Sequence, residues 1–279
     1  MSVPVPGQTL TLLGGVMVDG EFVRSALMRP VDGNLERELA HIDASEATNP
    51  ERLSRLLCAA LSSFAGHPAE MGVVDELCSG DRLYLLLQIA CTIDGDTMWL
   101  FPACARCASN FDIHIDRHEL PVQRAGDGFP FATVEIRAQR AVFRVPTGAD
   151  ERWIAQCTEP VSERDLLGRC LVSVNDTPAS HDFIKTLAPD DIAAVEAALD
   201  RVAPDVSSRL AATCPECAHQ QVVEFDVTAL QHLSIDRIVD DVHTLASHYH
   251  WNEADILSLP REWRFRYLSC IERSRGLHG

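Results

Sequence analysis

Two widely separated Cys-x-x-Cys pairs constrain this chain more than any other feature. The first pair is Cys104 and Cys107, and the second is Cys214 and Cys217. Apolar and polar residues alternate after each pair, which is typical of a half-buried strand, so each pair is predicted to lie at the tip of a hairpin. Two sulfurs from each hairpin complete the four-ligand shell of a structural zinc ion. The cysteines therefore predict one structural zinc that joins two parts of the chain.

Redox chemistry and simple burial are the alternative interpretations of these cysteines. Cys214-Pro215-Glu216-Cys217 resembles a glutaredoxin active site, in which a helix N-terminus lowers the pKa of the first thiol. Here the segment that follows, 220–227, is predicted to be a strand, which argues against redox function. A catalytic zinc ion keeps one position open for water or substrate, and four thiolates leave no such position. We therefore prefer a structural zinc over redox chemistry and over buried thiols.

Composition and charge favour a soluble, cytoplasmic protein that does not bind nucleic acid. Hydrophobic residues make up 46% of the chain and charged residues 23%, which is ordinary for a globular protein. The formal net charge of −17 should repel phosphate. The sequence shows neither a signal peptide nor an apolar run that could span a bilayer. The six other cysteines are therefore predicted to be reduced core residues; they are Cys58, Cys78, Cys91, Cys157, Cys170 and Cys270.

The two halves of the chain resemble each other at a nearly constant offset, which predicts an internal duplication. Four segments of the first half match four of the second in the same order, and the offset shrinks from 116 to 110 residues. The matched segments are 27–30 with 143–146, 36–40 with 151–155, 56–61 with 166–171, and 104–107 with 214–217. No single match is strong, but their common order is the argument for a duplication.

The predicted fold class is α+β, with two similar mixed lobes joined by a four-cysteine zinc ribbon and followed by a helical C-terminal extension. The boundaries place the N-terminal lobe at 1–125, the second lobe at 126–230 and the extension at 231–279. Alternating residues predict hairpins around Asp19-Gly20 and over 132–145. Apolar spacing of three and four predicts helices, which are 35–42, 51–64, 81–90, 150–157, 163–171 and 190–202.

The C-terminal extension combines histidines, aromatic residues and arginines on an otherwise acidic chain. His243, His248 and His250 have three interpretations: a second metal site, acid–base catalysts, or polar residues in an aromatic corner between two helices. Their spacing is poor for a metal site, so packing is preferred. The arginines predict a docking surface for an acidic partner or a solvated face. The predicted partner-binding residues are His248, His250, Trp251, Arg261, Arg264 and Arg266, with Arg273 and Arg275 adding to the basic character.

The run 245–260, which reads LASHYHWNEADILSLP, together with Arg264 and Tyr267-Leu268, resembles the C-terminal signature of the baseplate-protein family of T-even-type phages. Members of that family are described as baseplate proteins or baseplate hub assembly chaperones. The stretch 80–87, GDRLYLLL, and the paired Cys-x-x-Cys elements are also similar to it. The resemblance implies a part in building a tail baseplate or a related contractile injection machine, with other tail proteins as partners. It brings no catalytic residues with it.

Three functions remain open at this point. The first is a non-enzymatic, chaperone-like assembly protein that acts by binding other proteins, and it is preferred because no phosphate-binding glycine loop or hydrolase motif is apparent. The second is a metal-dependent enzyme that uses the C-terminal histidines. The third is a zinc-ribbon module for nucleic acid or transcription, which the acidic charge disfavours. No small-molecule substrate and no membrane partner are predicted.

Overall fold

The computed structural model of this chain describes residues 7–178, 181–227, 233–274 and 276. Within these residues the protein is a mixture of eleven α-helices and five small antiparallel sheets, so the predicted mixed α and β class is confirmed. Residues 1–6, which entered the search for a signal peptide, lie outside the described part. So do Arg275 and the predicted domain boundary at 230–231.

The first half contains a four-stranded sheet in the order β1-β2-β3-β4. Its strands and helices are β1 (Thr9–Val18), β2 (Glu21–Met28), α1 (Gly33–Asp43), α2 (Asn49–Ala60), β3 (Leu61–Phe64), β4 (His67–Pro68), α3 (Met71–Glu76) and α4 (Ser79–Asp94). Two further strands, β5 (Thr97–Leu100) and β6 (Ile113–Asp116), form a separate hairpin. The predicted turn at Asp19-Gly20 connects β1 to β2.

The second half contains elements in the same order. After the short strand β7 (Val122–Gln123) come β8 (Phe131–Ile136), β9 (Gln139–Arg144), α5 (Gly148–Gln156), α6 (Glu163–Cys170), β10 (Leu171–Val174), β11 (Thr177–Pro178), α7 (His181–Thr186) and α8 (Pro189–Val202). Strand β12 (Asp205–Val206) pairs with β7, and β13 (Arg209–Thr213) pairs with β14 (Gln220–Glu224) in a second separate hairpin. The chain continues with α9 (Ile235–Tyr249), α10 (Glu253–Leu257) and α11 (Arg261–Ser274).

Two of the predicted helices are too long at their C-terminal ends. Residues 61–64 form strand β3 rather than the end of α2, and Leu171 begins β10 rather than ending α6. Leu61 and Phe64 are three residues apart, so they satisfy the helical pattern equally well. Antiparallel pairing of β3 with β2, which places Phe64 opposite Ala26, makes this segment a strand. The spacing of apolar residues cannot distinguish these outcomes because the pairing is a tertiary contact.

Each half has its own apolar core, and a third core lies under the two separate hairpins. The first is built on the sheet β1-β2-β3-β4 and includes Leu35, Leu57 and Phe64. The second is built on β8–β10 and includes Phe143 and Val195. The third brings together residues from both halves, which are Leu13, Leu87, Met98, Ile115, Leu120, Val206 and Val227.

Asp81, in the first turn of α4, is a fully buried carboxylate that accepts hydrogen bonds from the backbone of β1. The N–H groups of Leu13 and Gly14 lie 2.7 and 3.0 Å from Oδ1, and that of Gly15 lies 2.8 Å from Oδ2. These three donors become available because β1 bulges between Thr11 and Val16 and leaves its pairing with β2. Gly15 has a φ of +123°, a conformation that side chains rarely adopt. The carboxylate therefore holds the bulge against α4.

Arg82 is also buried, and it connects the two halves. Its guanidinium donates to the Ser54 hydroxyl at 3.0 Å and to the Pro50 carbonyl at 2.9 Å, both in α2 of the first half. On the other side, Nε lies 3.2 Å from a carboxylate oxygen of Glu151 in α5 of the second half. A buried guanidinium needs such partners because its desolvation is costly. Arg82 therefore fixes α5 beside α2.

Gly80 is required by a close approach of the chain between the halves. A Cβ atom at this position would lie 1.9 Å from the carbonyl oxygen of Pro204. We expect Gly80→Ala to lower the free energy of unfolding by about 2–3 kcal/mol, because a backbone oxygen cannot turn aside as a side chain can. Urea denaturation measures the change. The matched control is Gly72→Ala in helix α3, where nothing lies within 4 Å, and it should be neutral or stabilising; equal losses in both variants would contradict the explanation.

Candidate metal centre

The four predicted cysteines lie in two loops with the same backbone structure. In the first hairpin the N–H of Cys104 donates to Ser109 O at 2.9 Å, and the N–H of Ala108 donates to Cys104 O at 2.9 Å. In the second hairpin the equivalent bonds, from Cys214 to His219 and from Ala218 to Cys214, are 2.9 and 3.0 Å long. Each alanine is left-handed, with φ of 59° at Ala108 and 54° at Ala218. Each turn therefore places its two sulfurs on one side of the loop.

The two loops meet, and their four sulfurs form one compact cluster. Cys104 Sγ lies 3.7 Å from Cys217 Sγ, and Cys107 Sγ lies 3.7 Å from Cys214 Sγ. The distances within the cluster span 3.6–3.8 Å. A disulfide would bring two sulfurs to about 2.05 Å. Sulfurs at about 2.3 Å from a tetrahedral metal ion are about 3.8 Å apart, so the cluster has the dimensions of a four-thiolate metal site.

Gln221, at the start of β14, ties the first loop to the second hairpin. Its side-chain oxygen accepts from the N–H of Ala105 at 2.8 Å, and its amide nitrogen donates to the carbonyl of Ala103 at 3.1 Å. Phe111 packs beside Cys104 and Cys214 and shields the inner side of the cluster. Gln221 could not be singled out from the sequence, because nothing in its local pattern distinguishes it from any polar residue at a strand end.

The four thiols are not equivalent in acidity. Hydrogen bonds from the side chain and backbone of Ser109 lower the pKa of Cys107 to about 6. At Cys217 the backbone N–H of His219 lowers the pKa, but burial and the three neighbouring sulfurs raise it, to about 12 overall. Backbone N–H groups also lower the pKa of Cys104. The cluster therefore carries a thiolate at neutral pH and resists losing its last proton without a cation.

The arrangement is suited to holding a metal ion that prefers thiolate ligands. Four sulfurs at tetrahedral spacing form a closed shell, which leaves no ligand position for a substrate. Two of the sulfurs, those of Cys104 and Cys214, are buried. A cation at this position would connect a hairpin from each half of the chain. A closed shell of four thiolates is typical of structural rather than catalytic metal sites.

Three further side chains of ligand type lie near one another at the C-terminal end of α4. Cys91, Asp96 and His118 have potential ligand atoms within 4.8 Å of one another. Asp96 and His118 are exposed, and His118 Nε2 lies 2.9 Å from Asp96 Oδ1. Such a pair is common on protein surfaces without any ion. Sequence spacing did not indicate this group, because its members come from three different elements.

The predicted partner-binding residues do not form one surface. Arg264 is only 1% exposed, and its Nη2 donates to Glu36 Oε1 at 2.6 Å; Arg261 donates to the same carboxylate at 2.9 Å. Arg264 is therefore not part of an exposed surface, because it is buried and its charge is neutralised by Glu36 of the same chain. Arg266 is exposed and pairs with Glu262 beside it.

The aromatic corner predicted around the C-terminal histidines is present. The ring of Tyr249 stacks on Trp251 with centroids 4.8 Å apart, and the edge of Tyr267 contacts both rings. His248 packs edge-on against Tyr249 at 4.8 Å. His250 ends α9 in a left-handed conformation with φ of 60° and is exposed. Packing thus accounts for Trp251, whereas His248 is exposed and touches only the ring beside it in sequence.

Comparison with known proteins gives no relative for this chain. None of the protein-family models matches it, and no curated protein and no solved structure matches it either. Among the described helices, none is both long and apolar enough to cross a membrane.

Replacing any one of the four clustered cysteines by serine should abolish stable metal binding. We expect each such variant to lose its bound metal, with a loss of about 3 kcal/mol as for a removed cross-link, which lowers the Tm by about 6–12 °C. Metal analysis of the purified chain and thermal denaturation measure both effects. Cys58→Ser is the control, since Cys58 is a single cysteine in α2, and it should retain the metal. Full metal content in Cys107→Ser would contradict the four-ligand site.

Metal uptake should release more protons in acidic buffer than in neutral buffer. Metal ions bind thiolates, so each thiol that is protonated beforehand must lose its proton. Cys217, with a pKa of about 12, releases its proton at pH 7.5 and at pH 5, whereas Cys107, with a pKa of about 6, releases one only at the lower pH. Titration calorimetry in buffers of different ionisation enthalpy should show about one additional proton at pH 5. Affinity should fall in parallel, and an unchanged proton count would contradict this assignment.

Proposed function

We propose that this chain is a non-enzymatic assembly protein whose two halves are fastened by a structural zinc ion. The observation that carries the proposal is the closed tetrahedron of sulfurs from Cys104, Cys107, Cys214 and Cys217. Zinc is the metal that such sites hold most often, because it accepts tetrahedral geometry and thiolate ligands without redox chemistry. The two hairpins with their metal then act as a zinc ribbon divided between the halves.

An internal duplication explains why each half supplies one hairpin. Both halves run through two strands, two helices, two strands and two helices before their cysteine hairpin. The equivalent hydrogen bonds of the two cysteine loops, at Cys104 and Cys214, add to the sequence matches in favour of a duplication. In a duplicated chain a half-site on each copy is the expected origin of a shared metal centre. The metal then holds two similar units in one orientation.

The assembly role rests on the resemblance to the baseplate proteins of T-even-type phages. The residues that carry this resemblance have structural roles in the packing of this chain. Asp81 holds the bulge of β1, Arg82 joins the two halves, and Trp251 and Tyr267 build the aromatic corner. A signature made of packing residues suits a protein that presents a rigid surface to other proteins. We therefore infer a part in assembling a phage tail baseplate or a related contractile injection machine.

Capture from an assembling particle tests the assembly role. A tagged full-length chain, expressed during particle formation, should copurify with tail or baseplate proteins that mass spectrometry identifies. Arg266→Glu reverses a charge that is exposed on α11 and should reduce the yield severalfold if α11 faces the partner. Lys185→Glu reverses an equally exposed charge on α7 and is the matched control.

Two outcomes would contradict this function. Copurification of metabolic enzymes instead of tail proteins would exclude the assembly role. Strong, salt-dependent binding of the purified chain to DNA would instead favour a nucleic-acid module, since affinity that falls with salt reports phosphate contacts. The nature of the metal is tested separately by elemental analysis of the purified chain, and iron in place of zinc would contradict the zinc assignment.

A further inference from the structure

The N-terminus of α1 holds a buried arginine from the C-terminal segment. Gly33 is the first residue of α1, and a Cβ atom there would lie 2.0 Å from Arg264 Nη1, so a larger residue would displace the guanidinium from this position. Glu36, the fourth residue of α1, accepts from Arg264 at 2.6 Å. The residues before the two helices, Asp32 and Pro260, form an isolated antiparallel bridge. We call the start of α1, with Gly33 and Glu36, the first socket.

The N-terminus of α5 holds a buried arginine in the same way. Gly148 is the first residue of α5, and a Cβ atom there would lie 2.3 Å from Arg82 Nη1. Glu151, the fourth residue of α5, lies 3.2 Å from Arg82 Nε. The residues before the two helices, Thr147 and Cys78, form an isolated antiparallel bridge. We call the start of α5, with Gly148 and Glu151, the second socket.

The two sockets recognise the same structural element. Arg82 is the fourth residue of α4, and Arg264 is the fourth residue of α11. In both cases the helix that carries the arginine starts beside the socket helix, and the residues just before the two helices pair. The arginine then lies between the glycine and the glutamate of the socket. We call residues 233–274 the C-terminal arm. Arg264 of this arm fills the first socket, and Arg82 of the first half fills the second. Each socket therefore fits a helix start that carries arginine at its fourth position.

The first socket satisfies its arginine less well than the second does. Arg82 also donates to Ser54, Val74 and Pro50. Both arginines leave Nε without a hydrogen-bond partner among the described residues, and Arg264 leaves Nη1 without one as well. An unpaired buried donor costs free energy that a hydrogen-bonded one does not, so the arm is held more weakly than α4.

The C-terminal arm is also a self-contained unit. Its own cluster of buried apolar residues joins Leu245, Ile256 and Ile271 with the aromatic corner. Its apolar contact with α1 is small and centres on Ala40, Ile238 and Leu257. An arm with its own core and a small contact with the first half can leave its socket without unfolding.

We propose that the first socket is a docking site for the C-terminal arm of a second copy of this chain, so that two copies exchange arms. The occupant is this chain's own arm because that segment meets every requirement of the socket: the paired backbone, the helix start and the arginine at the fourth position. The exchanged contact reproduces the internal one, with Glu36 of one copy binding Arg264 and Arg261 of the other. Exchange joins two copies through their first halves and leaves the metal centre of each copy unchanged.

Two complementary full-length variants test the exchange. In Glu36→Arg the arm is intact but its own socket repels it, and in Arg264→Glu the socket is intact but the arm is repelled. Each variant alone should remain monomeric. Mixed in equal amounts, they should form a species of twice the monomer mass, measured by size-exclusion chromatography with light scattering. A mixture that stays at the monomer mass would overturn the proposal.

The control chain carries both substitutions, which restores opposite charges within one copy. Like the unaltered chain, it can exchange arms with a second copy of itself, so it should form the dimer that neither single variant forms alone. Far-ultraviolet circular dichroism verifies that every variant is folded.

A binding experiment with the unaltered chain keeps the proposal testable if either variant fails to fold. A fluorescent peptide of residues 233–274, the whole arm with its own core, should bind the full-length chain saturably, as measured by anisotropy. The same peptide with Arg264→Gln should bind at least tenfold more weakly. Absence of saturable binding by the unaltered peptide, or equal binding by both peptides, would overturn the proposal.

Discussion

The structure depends on neutralising charges that are buried where separate parts of the chain meet. Arg82 lies between the two halves, and Arg264 lies between the C-terminal arm and the first half. Each guanidinium needs a carboxylate, because an unpaired charge in the interior would cost several kcal/mol. Glu151 and Glu36 supply these carboxylates from the fourth positions of α5 and α1. The relative placement of the parts is therefore specified by ionic contacts whose geometry tolerates little displacement.

The cysteine cluster must also have its charge neutralised, but here the charge is negative. Four thiolates within 3.8 Å of one another would repel strongly, so they stay together either as partly protonated thiols or around a cation. A metal ion supplies the positive charge that no arginine supplies at this point. The halves are thus joined at one place by Arg82 and at another by the proposed metal. Two connections at different places restrict rotation of one half against the other far more than a single connection does.

A rigid pair of similar units is useful for a protein that positions other proteins. The proposed assembly role needs a surface of fixed shape more than it needs a reactive group, and the buried residues of the chain serve that shape. The weaker contact of the arm is the exception. Residues 233–274 pack around their own core, so this part can change partners while the fastened halves remain as they are. The two halves thus supply the rigid part of the protein, and the C-terminal arm supplies the part that can be exchanged between copies.

Short-range patterns in the sequence were enough to predict the cysteine site and most helices, but not the partners of individual side chains. The Cys-x-x-Cys pairs and their flanking alternation predicted the two hairpins, because the two ligands of one turn are close in sequence. The four-sulfur cluster was predicted because a structural zinc ion needs four ligands and each hairpin offers two. The strand at 61–64 and the burial of Arg264 depend instead on distant segments. Leu61 and Phe64 fit either period until they pair with β2, and a buried arginine has the same helical pattern as a solvated one until Glu36 arrives from 228 residues away. The local sequence pattern shows which side chains a segment presents. Which distant side chains they contact is decided only when the chain folds.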